Sequence, residues 1–412
     1  MIFKSLPVFF ALLSVTVYIS IGQTSSNPNV FSLDARLLQY SKLQLKLGNP
    51  ALQKSYEALL KKGNEALNEG PFSVVSKEKT PPGGNKHDYM SMGPYWWPNP
   101  KTANGLPYIR KDGERNPETK KFEDRENIRN LIAAVNTLSL SYYFSDHLKY
   151  AERAALLLKV WFLNPETRMN PHLNYGQCVP GITDGRAEGL IETTGLIEVI
   201  DGIGLIKNSG ALTASELASL KNWFAEFLTW ITKSEIGKDE IAAKNNHGTW
   251  CDVQSVAYAL FTDQPYVARK IIETRGIGRI KTQIRADGGQ PRELARTVSW
   301  GYSNMNLRAF FILANLAKNV NIDLFNYQSN GFTPIHQALN FLVPYLKGEK
   351  KWETKQIKPM EYDNTCFSLR MGTLNYHVPV YEQLITKYDE SKTTDVPYLL
   401  WPLVKSKPIT GS

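Results

Sequence analysis

Paired amphipathic helical segments recur along the chain, and they restrict its fold more than any other feature. Apolar residues at three- and four-residue spacing predict five helical hairpins, over residues 33–47 and 51–67, 127–144 and 148–163, 186–206 and 214–231, 249–261 and 266–282, and 293–317 and 334–346. Alternating apolar runs, which indicate strands, are almost absent. The pattern predicts an all-α fold, and an α/α toroid fits it best. This toroid would be an incomplete barrel of about five to six hairpins, whose first helices surround a central cleft.

A long segment without helical periodicity follows the first hairpin. Residues 70–124 are rich in Pro, Gly and aromatic side chains, and they include His87, Tyr95 and Trp96. A loop of this length in a compact domain is usually functional, and aromatic faces stack well on the apolar faces of sugar rings. The segment is therefore predicted to cover a substrate cleft. The alternative is that its aromatic residues only staple it to the helical scaffold.

The N-terminus has the pattern of a secretory signal. Lys4 precedes an apolar run over residues 8–19, and small residues lie around Gly22. The run is too short to span a bilayer, so we expect a signal peptide over residues 1–22 and a periplasmic or secreted protein. Residues 23–412 are expected to form one domain without a membrane span, and its C-terminal part, residues 347–412, is expected to be less regular.

Charge and cysteine content narrow the class of partner. The formal net charge is +9, and no block of Lys and Arg marks a nucleic-acid-binding tail. A diffuse positive excess beside many aromatic residues suits an acidic polysaccharide, and no nucleic acid partner is expected. The three cysteines show no metal spacing and no disulfide framework. A single Cys178–Cys366 bridge stays open, as does the oligomeric state.

Two segments combine residue types that bind an acid and move a proton. One is NNHGTW at residues 245–250, which contains Asn246 and His247. The other spans residues 290–302 and contains Arg292, Arg296 and Tyr302. Both are predicted at the starts of inner helices, where unpaired N–H groups attract anions. The simpler explanations are that an Asn caps a helix and that Glu293 pairs with a nearby arginine.

Other kinds of chemistry find less support. No metal-binding pair of the HExxH type and no Gly-x-Ser-x-Gly elbow is present, so neither a metal nor a cofactor is expected. A glycoside hydrolase that uses paired carboxylates remains open. Four acidic residues at predicted rim positions are candidates for it: Asp184, Glu188, Asp252 and Glu293.

Three separated blocks resemble the signature segments of the alginate-lyase superfamily. They are HDY and GPYWWP between residues 87 and 98, NNHGTWxDVQ from residue 245, and QPxELART followed by Tyr302. The resemblance extends over residues 31–346 and implies an α/α toroid that cleaves alginate or glucuronan by elimination. It matches Asn246 and His247 to the pair that contacts the uronate carboxylate, and Tyr302 to the catalytic tyrosine. Arg296 matches the family arginine better than Arg292, but the spacing leaves both open.

The resemblance also implies a mechanism. Asn246, His247 and an arginine would neutralise the uronate carboxylate while the C5 proton leaves. Tyr302, with a pKa lowered by nearby Arg and His, would take that proton and return it to the O4 leaving group. His247 is the alternative base where C5–H lies on the opposite face. Substrate-binding roles are expected for Arg292, His87, Tyr95, Trp96, Arg186 and Trp250. A hydrolase and a non-catalytic polysaccharide-binding protein remain rival hypotheses.

Overall fold

A computed structural model describes residues 27–389 and 396–402, so the predicted signal peptide lies outside the described residues. The described chain is mostly helical, which confirms the all-α prediction. Its helices are α1 (Ala35–Lys46), α2 (Pro50–Ala66), α3 (Asp124–Ser145), α4 (Leu148–Leu158), α5 (Leu196–Ile206), α6 (Ala214–Lys233), α7 (Glu235–Ala242), α8 (Asn246–Phe261), α9 (Pro265–Ile271), α10 (Ile277–Gln283), α11 (Pro291–Leu294), α12 (Ser299–Lys318), α13 (Pro334–Lys347), α14 (Asp363–Tyr376), α15 (Pro379–Tyr388) and α16 (Pro397–Leu400).

Five helices form an inner layer by packing side by side in chain order. Helix α3 packs against α5, α5 against α8, α8 against α12, and α12 against α14. Outer helices cover them, with α4 on α3, α6 and α9 on α8, α13 on α12, and α15 on α14. Every residue of α8 except His247 is buried, as expected for a helix with neighbours on all sides. The arrangement is the predicted α/α toroid.

Several predicted boundaries are wrong in informative ways. The helix predicted over residues 186–206 is a 3₁₀ segment (Ala187–Thr193) followed by α5. In the 3₁₀ segment, Gly189 packs directly on the backbone of Gly176, and a Cβ on Gly189 would lie 2.9 Å from it. The helix predicted over residues 293–317 is broken into α11 and α12. Helix α7 was not predicted. The C-terminal part contains α14 and α15, a regular sixth hairpin, so its predicted irregularity does not hold there.

The long loop contains short strands that fix its path. Strand β1 (Met90–Met92) pairs in parallel with β4 (Tyr175–Cys178), and β2 (Trp96–Trp97) pairs antiparallel with β3 (Ile109–Arg110). Its distal part reaches the segment before α12, where the Asp112 carbonyl and carboxylate accept hydrogen bonds from Thr297. The loop is thus held at two places, by β4 ahead of α5 and by Thr297 ahead of α12.

The N-terminal segment is tied to the opposite end of the inner layer. The Asp201 carboxylate in the second half of α5 accepts the backbone N–H groups of Phe31 (2.6 Å) and Leu33 (3.0 Å). Asn319, just after α12, donates to the Phe31 carbonyl. None of the helices in the described part of the chain is long and apolar enough to cross a membrane.

Candidate active site

The N-terminal ends of the inner helices open into a cleft of about 1340 Å³. Its described lining includes seven cationic side chains against three acidic ones, so the cleft favours an anionic ligand. The cationic residues are Arg110, Arg115, Arg125, Arg186, Lys244, Arg292 and Arg296, and the acidic ones are Glu188, Asp239 and Glu240. Because Arg110, Arg115 and Tyr95 all belong to residues 70–124, the long loop forms part of the cleft wall.

Helix α8 begins three residues earlier than predicted, which places Asn246 and His247 in its first turn. Asn246 is buried, and Glu293 accepts both its backbone N–H and its side-chain NH₂, each at 2.7 Å. The other side-chain atom, Oδ1, is enclosed and has no hydrogen-bond partner among the described residues. Glu293 therefore fixes the orientation of the Asn246 amide.

A second buried carboxylate orients His247. The Nδ1 atom of His247 lies 2.8 Å from Oε1 of Glu240, whose side chain is only 2% exposed. Burial raises the pKa of Glu240, and the adjacent His247 opposes that rise. Contact with a carboxylate favours the tautomer in which Nδ1 carries the proton, so that Nε2 is left for a ligand.

Tyr302 lies in the first turn of α12 and faces the cleft. Its hydroxyl is 2.9 Å from the hydroxyl of Tyr95, and the Arg296 guanidinium lies 3.7 Å from the centre of its ring. Arg296 also donates to both carboxylate oxygens of Asp112, at 2.7 and 3.2 Å. Arg292 is exposed and lines the cleft one turn earlier, without these contacts. The geometry thus favours Arg296 over Arg292 as the partner of Tyr302.

The expectation that neighbouring cations lower the pKa of Tyr302 is wrong for the free protein. Burial and the hydroxyl of Tyr95 raise this pKa well above its usual range, and Arg296 lowers it only in part. A phenolate loses more solvation in a buried site than a single guanidinium over the ring restores. Tyr302 is therefore a neutral hydroxyl in the free cleft.

The matching sequence profile is that of the alginate lyase family, and it covers residues 73–352. The chain belongs to this family. The fold is similar to the crystal structure of an alginate lyase from Bacteroides ovatus, with a TM-score of 0.87, 39% identity, and coverage of 91% of this chain and 100% of that chain. No match is found among curated proteins.

Two solved structures of a more distant alginate lyase share the fold at 14% identity. Alginate lyase A1-III from Sphingomonas species A1 has a TM-score of 0.58, with 93% of this chain and 97% of that chain covered. A variant of A1-III complexed with a tetrasaccharide has a TM-score of 0.60 and the same coverage. Family membership and these folds make the protein a polysaccharide lyase.

Two of the predicted substrate-binding residues do not reach the cleft of this alginate lyase family member. His87 contacts the Arg168 carbonyl through Nδ1 at 2.7 Å, so its ring holds the loop to the scaffold. Trp250 is buried in the hydrophobic core and does not line the cleft. His87 was included as part of the aromatic loop, and Trp250 as part of the NNHGTW motif. Neighbouring positions in a turn or helix face different directions, so only some residues of each segment line the cleft.

The other predicted substrate-binding residues lie at or beside the cleft. Tyr95, Arg186 and Arg292 line it, whereas Trp96 lies behind Arg186, whose guanidinium is 5.8 Å from the indole ring. Arg186 is held by Gln177 at 2.6 Å and by Glu188 at 2.9 Å. Its position is therefore fixed before any ligand arrives.

Most of the carboxylates suggested for a hydrolase either bind other side chains or lie outside the cleft. Asp252 is fully buried and forms ion pairs with Arg275 (2.8 Å) and Arg279 (2.5 Å). Glu293 holds Asn246, and Asp184 lines a separate pocket near Cys178. Only Glu188 lines the cleft, in an ion pair with Arg186. This leaves no free carboxylate pair from that set across the cleft.

The residues that orient the site were not predicted in that role. Glu240 and Asp112 were not singled out, and Glu293 was considered only for pairing with a nearby arginine or as a hydrolase carboxylate. Glu240 lies in the unpredicted helix α7, seven residues before His247. The three cysteines are all free, so the Cys178–Cys366 bridge is not formed. Within the described ranges, no group of three or more His, Cys, Asp or Glu residues is placed to hold a metal ion.

Proposed function

We propose that this polysaccharide lyase cleaves a 4-linked polyuronate by β-elimination. One observation carries the proposal: a tyrosine, a guanidinium and an oriented Asn–His pair meet in one cationic cleft. Asn246, His247 and Arg296 neutralise the uronate carboxylate, and this contact strengthens as negative charge moves onto it during loss of the C5 proton. Tyr302 acts as the acid/base beside them.

The protonation state of Tyr302 bears on its role. Its neutral hydroxyl already carries the proton that the O4 leaving group requires. To act as the base it must first lose that proton, a change that Arg296 favours. Where C5–H lies on the opposite face of the sugar, Nε2 of His247 is the base, because Glu240 occupies the other ring nitrogen. The two bases suit uronates of opposite C5 configuration.

Alginate is the first substrate to test, because the similar solved structures are alginate lyases. Glucuronan is the second, because it is also a 4-linked polyuronate. A periplasmic or secreted location is part of the proposal and rests on the signal-like residues 1–22.

The test measures formation of unsaturated uronate ends from each pure polyuronate. Tyr302→Phe is expected to lower kcat by at least about 100-fold, the usual contribution of a positioned acid or base. Arg292→Gln serves as the control for Arg296→Gln, since both remove one cleft charge but only Arg296 contacts Tyr302. Full activity of Tyr302→Phe would refute the mechanism. New reducing ends without unsaturation would favour a hydrolase, and binding without turnover would favour a binding protein.

A further inference from the structure

A second cavity lies between α12, α14 and the C-terminal helices α15 and α16. Its volume is about 610 Å³, which is within the usual range for a small-molecule site. No residue lines both this cavity and the cleft. Its α12 residue is Arg308, about two turns further along the helix than Tyr302. The cavity is therefore a separate space, to which the cleavage chemistry gives no task.

Two arginines in its wall are incompletely paired. Arg308 donates one long hydrogen bond, 3.4 Å, to Asn364, and it forms no ion pair within the described ranges. Arg370 is 1% exposed and pairs with Asp389 through Nη2 at 2.8 Å. Its other terminal nitrogen, Nη1, is enclosed and has no hydrogen-bond partner among the residues that the structure describes. Enclosed donors without acceptors are costly, so these guanidinium groups favour a ligand with an acidic oxygen.

Aromatic side chains form the apolar part of the wall. The ring of Tyr362 stacks on that of Tyr388, with the centroids 4.4 Å apart, and Phe367 meets Trp401 edge-on at 5.0 Å. The Arg308 guanidinium lies 4.4 Å from the centre of the Phe367 ring. A group that binds Arg308 therefore lies next to an aromatic ring. Aromatic rings pack well against the apolar C–H face of a sugar.

Two exposed carboxylates complete the lining. Glu361 and Asp363 both line the cavity and are exposed, so they lie where the cavity meets solvent. Carboxylate oxygens accept hydrogen bonds, and sugar hydroxyls are suitable donors. The same negative charges repel a polymer that carries many carboxylates. The cavity thus suits one acidic sugar ring, in contrast to the cationic cleft.

We propose that this cavity is a binding site for a uronate monosaccharide, a single sugar ring with one carboxylate. Arg308 binds the carboxylate, with Arg370 as a second donor in the same cavity. The aromatic wall contacts the face of the ring, and Glu361 accepts its hydroxyls. The inference goes beyond the proposed function, because the site binds a sugar outside the cleft and takes no part in cleavage.

The experiment titrates the full chain with three probes in a calorimeter. They are glucuronate, glucose (the same kind of ring without the carboxylate) and acetate (the carboxylate without the ring). We expect saturable binding of glucuronate at one site. Glucose should bind at least about tenfold more weakly, since the hydrogen bonds to a charged group are lost. Acetate should also bind more weakly, because it lacks the ring that packs on the aromatic wall.

Variants locate the site. Arg308→Gln should weaken glucuronate binding by at least about tenfold. Arg296→Gln removes an arginine from the cleft instead and should leave this binding unchanged. Arg36→Gln is the control for net charge, because Arg36 is an exposed residue of α1 that lines neither cavity. We expect it to match the wild type.

A second variant guards against misfolding. Arg308 interacts electrostatically with Glu198 of α5, so thermal unfolding is measured for every variant. Glu361→Ala changes an exposed position and removes only an acceptor for the sugar hydroxyls. It should weaken glucuronate binding by about fivefold and leave acetate binding unchanged. If Arg308→Gln does not fold, Glu361→Ala decides the test.

Four results would overturn the site. They are no saturable binding of glucuronate to the wild type, equal affinity for glucose, unchanged affinity in the folded variants of Arg308 and Glu361, and loss of binding in Arg296→Gln, which would place the sugar in the cleft. Failure of the proposed function looks different, because the wild type would then form no unsaturated product from any polyuronate while it still binds glucuronate.

Discussion

Replacing Glu293 with Gln separates the orientation of Asn246 from the stability of the fold. Glu293 is 1% exposed, and its two oxygens accept the backbone N–H and the side-chain NH₂ of Asn246. Gln has the same shape but only one acceptor oxygen. In Glu293→Gln the new NH₂ group must therefore face one of two donors. We expect the Asn246 side chain, rather than the helix backbone, to turn away.

The size of the effect follows from that lost contact. A buried donor without an acceptor costs about 1–3 kcal/mol. If this cost appears in the transition state, kcat/KM falls roughly five- to 150-fold. Stability should change little, because burial raises the pKa of Glu293 and the ionised group already costs folding free energy at neutral pH. Gln removes that cost while it adds an unsatisfied donor.

The same reasoning fixes the sign of a pH effect. Burial raises the folded-state pKa of Glu293 above its usual value, although the hydrogen bonds from Asn246 and the nearby Arg296 guanidinium oppose that rise. As the pH falls through this raised pKa, Glu293 takes up a proton and loses one acceptor site. The free energy of unfolding then increases, because the folded protein binds this proton more tightly than the unfolded chain does. At the same time the Asn246 side chain loses the acceptor that orients it. Wild-type activity should fall there, and Glu293→Gln should lack this part of the acid limb.

The assay measures kcat/KM against pH by formation of unsaturated product, together with thermal unfolding. Glu273→Gln is the control, because Glu273 forms an exposed ion pair with Arg269 (2.8 Å) away from the cleft. We expect the control to match the wild type in both measurements. Wild-type kcat/KM in Glu293→Gln would refute the orienting role. So would a loss of activity that merely follows a large drop in the unfolding temperature.

Two further substitutions probe the supports of the site. Asp112→Asn should lower kcat/KM about tenfold in steady-state assays, because Arg296 loses a charged acceptor. Burial alone would raise the pKa of Asp112, but hydrogen bonds from Arg296 and Thr297 lower it to about 2. The ionised Asp112 therefore contributes its full stability above pH 3.8, and this contribution is lost as the pH falls through about 2. Asp252→Asn should destabilise the fold by about 3–5 kcal/mol in chemical unfolding, since two buried arginine contacts lose their counterion. Asp287→Asn, at an exposed pair, should stay within about 0.5 kcal/mol of the wild type.

The helical layers could be predicted because each hairpin carries its own apolar periodicity. The residues proposed to react could be brought to attention because they occur in short motifs at helix starts, and the structure places them in one cleft. The residues that orient them were harder to find. Asn246 and Glu293 are 47 positions apart, and Arg296 and Asp112 are 184 apart. No local pattern encodes such pairs, since the toroid alone brings them together. Helix α7, which carries Glu240, was missed because it is only eight residues long and so shows little periodicity.

These contacts also explain why a site for an anion contains carboxylates of its own: each of them holds a polar or cationic side chain in place. Glu293 and Glu240 orient the Asn246 amide and the His247 ring, and Asp112 pairs with Arg296, so the proposed reacting centre carries no excess positive charge before substrate binds. The excess positive charge comes instead from Arg115, Arg292 and Lys244, which have no ion-pair partner among the described residues and lie in the cleft wall. In a centre of this kind, the polar groups need to reorient little when charge develops on the substrate, because hydrogen bonds already hold them in place. If the proposed function holds, the surrounding unpaired cations attract the acidic polymer. Substitutions at the centre should therefore act mainly on kcat, and those in the wall mainly on KM and its dependence on salt.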